Sequence, residues 1–68
     1  MIEVRITAAR LTKFDSEVHR GMLVLRELRD AGVPVVGALF PLGVKAGRLE
    51  VEYDELVSDE WVWRWVEA

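Results

Sequence analysis

All three tryptophans of this 68-residue chain, Trp61, Trp63 and Trp65, fall in one short segment at spacing i, i+2, i+4. In a β-strand that period of two puts the three indoles on one face and Val62, Arg64 and Val66 on the other. In a helix, Trp61 and Trp65 would share a face and Trp63 would point nearly opposite. Trp and Val favour pleated surfaces, so a strand is expected. The alternative is a second helix, capped by Ser58 with Asp59 and Glu60 in its first turn. In either form, a small protein commits its largest apolar side chains to one segment that must be tied into the fold or into a partner.

A chain of this length makes a single domain, near the lower limit at which one apolar core folds unaided. It has no cysteine, so no disulfide staples the core, and a thiolate nucleophile or a zinc–thiolate site is excluded. Hydrophobic residues make up 51% of the chain, more than so small an interior can hide, which is a first sign of self-association. The net charge is −3 with no basic run, so nucleic acid is not the expected partner. No stretch approaches the roughly 20 apolar residues of a membrane span. Met1 to Arg5 lacks the basic-then-apolar pattern of a signal peptide, and a cytoplasmic protein is expected.

Along the chain, Ile2, Val4 and Ile6 alternate with Glu3, Arg5 and Thr7 as in a half-buried strand. After a polar stretch, Thr12 or Asp15 can cap a helix over 14–31. Its apolar stripe comprises Phe14, Val18, Met22, Leu25 and Leu28, joined by Gly21 and flanked by Val24 and Ala31. Gly32 ends the helix and Pro34 forbids its continuation. Val33 to Phe40 is apolar on both faces and reads as a central, doubly covered strand. A turn-rich connector over 41–47 follows, then a strand over 48–53 with Leu49, Val51 and Tyr53 on one side, and an acidic loop over 54–60.

The expected fold is α+β: a small single-layer mixed sheet, β-α-β-β-β, with one helix packed on one face. A right-handed crossover makes the first two strands parallel, and the rest form an antiparallel meander. One helix covers one face, and the second face also reads as apolar, through Val36, Ala38 and Phe40 or through Val35 and Leu39. Such a patch marks an interface, and pairing of two copies face to face or edge to edge would hide it.

The sequence offers no catalytic constellation. His19 stands four residues after Asp15, an acid–histidine spacing with no suitable nucleophile nearby, and a solvated surface pair is the reading preferred. Gly43-Val44-Lys45-Ala46-Gly47 has its lysine between the glycines, unlike a phosphate-binding loop, and reads as a hairpin loop whose glycines supply positive φ. Acidic residues dominate 41–68 without the ligand spacing of a calcium loop. The expected sites are therefore catalytic none, cofactor none and metal none. The residues expected to meet a partner are Leu23, Phe40, Trp61, Trp63, Trp65 and Arg64: Leu23 because it projects opposite the helix stripe, and the aromatics because Trp anchors interfaces.

The function expected from these features is a non-enzymatic protein–protein interaction module, a homodimer that binds and modulates a second, unidentified protein. Two alternatives stand beside it. One is a nucleic-acid-associated regulator using Arg5, Arg10, Lys13, Arg20, Arg26 and Arg29. The other is a small phage or mobile-element accessory protein that inhibits a host factor.

Overall fold

The structure, a computed structural model, describes residues 1–37, 39–55 and 59–68. It is an α+β fold with one substantial helix on one face of a small antiparallel sheet. The elements are β1 (Ile2–Thr7), α1 (Ala8–Leu11), α2 (Glu17–Asp30), β2 (Val35–Val36), β3 (Gly43–Val44), β4 (Gly47–Asp54) and β5 (Glu60–Glu67).

The tryptophan segment is a strand, and it is the central one: the sheet order is β1-β5-β4, antiparallel throughout. Register places Val4, Trp63 and Val51 side by side, with Ile2, Trp65 and Leu49 in one flanking row and Ile6, Trp61 and Tyr53 in the other. These nine residues share one face, so period-two patterning alone builds an apolar surface three strands wide.

The expected parallel pairing of the first two strands does not occur. Among the described residues of the 33–40 segment only Val35 and Val36 are strand, and they pair with Val44 and Gly43 in a separate two-stranded ribbon. Gly37, at φ +98°, turns the chain there, and the Leu42 N–H closes the loop on the Val36 carbonyl at 2.7 Å. A Cβ at residue 37 would stand 2.3 Å from the Phe40 carbonyl oxygen, so the turn requires glycine. Leu39 and Phe40 therefore point into solvent, and Ala38 lies outside the described residues.

Helix α2 starts later than expected. Ser16 caps it, rather than Thr12 or Asp15, its Oγ accepting from the Val18 N–H at 3.2 Å. Residues 8–11 form their own turn, capped by Thr7. The C-terminus ends as the sequence predicts: Gly32 sits at φ +102°, its N–H donates to Arg29, and the Val33 N–H reaches back to Leu28. Val33 and Leu28 are both buried, the apolar contact that accompanies this cap.

The helix packs chiefly against β1 and β2. Val24 and Leu28 are the residues it buries, while Leu25 and Met22 are half-buried and Val18 is 69% exposed. The buried face is thus rotated from the expected stripe toward Val24, with Leu28 common to both. With Val4, Ile6, Leu11, Val33, Trp63 and Trp65 these two form the core.

The second sheet face is polar, which corrects the expectation of a second apolar face. Arg64 bonds Glu3 at 3.0 Å and Glu52 at 2.8 Å, Arg5 reaches Glu3 at 3.3 Å and Glu60 at 3.6 Å, and Arg48 pairs with Glu50 at 2.8 Å. Val62 lies in this charged face, flanked by Arg5 and Glu52 on the neighbouring strands, and is 1% exposed. The aliphatic stems of the surrounding charged residues account for its cover. The face is polar because the described residues of the doubly apolar 33–40 segment do not join the three-stranded sheet.

Candidate functional site: an apolar groove beside the tryptophan strand

Because α2 lies toward the β1 side, cover over the apolar face thins across the sheet. On β1, Val4 and Ile6 are buried; on β5, Trp63 and Trp65 are buried but Trp61 is 37% exposed; on β4, Val51 and Tyr53 are exposed at 51% and 41%. The uncovered strip forms a groove of about 370 Å³. Leu11 lines it from α1, Gly21 and Val24 from α2, Val51 from β4, and Trp61 and Trp63 from β5; Arg20 and Thr12 supply its polar rim.

Local geometry fixes the groove walls. Tyr53 and Trp61 are direct cross-strand partners with ring centroids 4.9 Å apart, and Trp61 and Trp63 are 6.3 Å apart, giving a tilted aromatic row. The Tyr53 hydroxyl donates to the Asp59 carboxylate. That hydrogen bond is the largest cause raising the Tyr53 phenol above its ordinary pKa, followed by desolvation and the charges of Asp59 and Glu55. The Asp59 carbonyl in turn accepts from the Ala8 N–H at 2.8 Å, tying the β4–β5 end of the sheet to α1. On the helix side, the Arg20 Nε donates to the Phe14 carbonyl at 2.8 Å, and the Arg10 guanidinium pairs with Glu27. Gly21 leaves the groove wall open: a Cβ there would meet nothing within 4 Å.

Of the residues expected to meet a partner, the structure brings Trp61 and Trp63 together in this groove. Trp65 is in the core of the same face, 7% exposed. Arg64 is on the opposite face, held by Glu52 and Glu3; the Glu52 hydrogen bond chiefly raises its pKa, so its positive charge is fixed. Leu23 is half-buried and packs against the core cluster. Phe40 is 66% exposed in the 37–42 loop, beside Leu39 and Leu42. Sequence reasoning missed Val51, Gly21 and Leu11 as groove residues. The alternation of 48–53 did place Val51 on the face of Tyr53, but nothing local showed that the helix would leave it bare.

The remaining features are quickly located. His19 is exposed, and Asp15 precedes α2, so the two do not share a helical face. Among the described residues, no cluster of three or more His, Asp or Glu side chains is arranged to hold a metal. Ser58, the cap of the alternative helix, lies outside the described residues. The basic residues of the N-terminal half are dispersed: Arg5 on the polar sheet face, Arg10 on α1, Arg20 at the groove rim. No helix among the described residues is long and apolar enough to cross a membrane. No protein-family model, curated protein or solved structure matches the chain.

The groove offers apolar and aromatic contact area with a few polar groups at the rim.

Proposed function

We propose that this protein is a non-enzymatic interaction module of the cytoplasm, a homodimer that binds a second protein through the apolar groove. The observation that carries this reading is the bare strip on the sheet face, where Val51, Tyr53 and Trp61 stay exposed beside a helix that buries their neighbours. A contiguous apolar surface rimmed by polar groups is characteristic of an interface. Trp and Tyr are the side chains that most often carry binding energy in such patches. The preformed aromatic row lowers the ordering cost that association must overcome.

The test uses Gly21, which lines the groove from α2. Gly21→Leu fills the groove from the helix side, where a new side chain meets open space. A protein retained by the immobilised wild-type chain and lost from the Gly21→Leu variant, with unchanged circular dichroism, is the expected result. Equal retention by both, or none by either, overturns the groove as the binding site.

A further inference from the structure

β4 has a burial pattern unlike those of the other long strands. From Gly47 to Tyr53 only Leu49 is sheltered, and both faces of the strand are otherwise open. Arg48, Glu50 and Glu52 alternate on its polar face with side chains 72%, 47% and 62% exposed. β4 pairs with β5 along one side, and its other side is a sheet edge. The opposite edge strand, β1, differs: Val4 and Ile6 are buried, and its charged side chains Glu3 and Arg5 are less exposed, at 36% and 41%.

From this edge we infer that β4 pairs antiparallel with β4 of a second copy, Glu50 lying on the two-fold axis, to give a continuous six-stranded sheet. The inference rests on the homodimer proposed above and specifies its contact. An isologous antiparallel pairing keeps each face on its own side, so residues of equal parity meet. Three registers are close competitors. Centred on Val51, the pairing sets Glu50 against Glu52 twice next to the axis, a like-charge juxtaposition, and Arg48 against Asp54 only at the strand ends. Centred on Leu49, it draws in Ala46, whose φ of +48° is not that of a strand. Centred on Glu50, it sets Arg48 against Glu52 of the second copy twice, and Leu49 against Val51 twice. Tyr53 then lies beside Gly47 of the other copy, next to the Trp65 indole that overlies it, and the aromatic row extends across the junction. The single like-charge meeting, Glu50 with itself, is moderated by Arg48, which bonds Glu50 in each chain. Main-chain hydrogen bonds along the strand supply the affinity, as in other strand-addition contacts.

The chain has no cysteine, so single cysteines report the register directly. In this register the two residues at position 50 have Cα atoms about 4.5–5.5 Å apart, within disulfide reach. The two at position 48 are roughly 13 Å apart, out of reach, as are the two at position 52. Sedimentation of the wild type is measured alongside oxidation of Glu50→Cys, Arg48→Cys and Glu52→Cys, each checked by circular dichroism. A dimer is expected, with Glu50→Cys crosslinking roughly tenfold or more faster than either other variant alone. Mixed Arg48→Cys and Glu52→Cys chains are expected to crosslink to each other. A dimer without this pattern overturns the β4 contact and leaves the homodimer standing. A monomer overturns both.

Discussion

The Trp65 indole folds directly over Gly47: a Cβ on residue 47 would stand 2.3 Å from Trp65 Nε1 and 2.7 Å from the Val66 carbonyl oxygen. The close approach seats the Trp65 indole against the start of β4, and the Trp65 N–H finds no acceptor among the described residues. Gly47→Ala forces either the indole or the β5 backbone to move, and overpacking of this kind costs about 1–3 kcal/mol. Urea unfolding should show that loss. An unchanged midpoint would mean that Trp65 has another seat.

The residue before it makes the opposite forecast. Ala46 occupies the left-handed region at φ +48°, where the sequence suggests that the flanking glycines would serve. Replacing it with glycine removes that strain but adds freedom to the unfolded chain, for a net gain of about 0.5–1 kcal/mol. In a domain of this size the thermal midpoint should rise by roughly 2–8 °C. A lower midpoint would show that the alanine side chain makes a contact of greater value.

Leu28 and Leu25 both belong to the expected helix stripe, but the structure buries them unequally. Leu28 is completely buried, so Leu28→Ala should cost about 2–5 kcal/mol, enough to unfold much of a domain this small. Leu25 is only half-buried at the margin of the stripe, and Leu25→Ala should cost clearly less. Chemical denaturation of the two variants in parallel gives the ranking; the reverse order would mean that Leu25, not Leu28, lies at the centre of the packed face.

How much of this was legible depends on how far apart the interacting residues are in sequence. The tryptophan strand, the alternation of β1 and β4, and the Gly32 cap are local patterns, and each appears where the residues indicate. The described residues of the 33–40 segment do not form a central strand, because a short apolar run carries no period to say which partner it takes, and Gly37 turns the chain away. Sheet order, the rotation of the helix stripe and the seat of Trp65 on Gly47 all depend on contacts between distant segments. The groove was half-visible for the same reason: period two puts Trp61, Trp63 and Val51 on apolar faces, but only packing decides which of them the helix leaves open. It also set Arg64 on the face opposite the indoles, where the structure has it.

Tyr53 gives a pH readout of the groove wall, and it is the only tyrosine in the chain. Its hydrogen bond to Asp59 favours the protonated phenol, so ionisation should occur above the ordinary value of about 10. The folded state then holds the proton more tightly than the unfolded state. The associated stability is fully present below pH about 10 and is lost as the pH rises through the folded value. Phenolate absorbance should titrate late in the wild type and earlier in Asp59→Asn. A wild-type midpoint at or below that of a free tyrosine would rule out the hydrogen bond in solution.

A homodimer built on an incompletely covered sheet is the central claim, and the mass in solution tests it most directly. Sedimentation equilibrium at micromolar concentration should return a species of twice the 7.8 kDa chain mass, dissociating on dilution. A single species of 7.8 kDa that persists to the highest soluble concentration would contradict it.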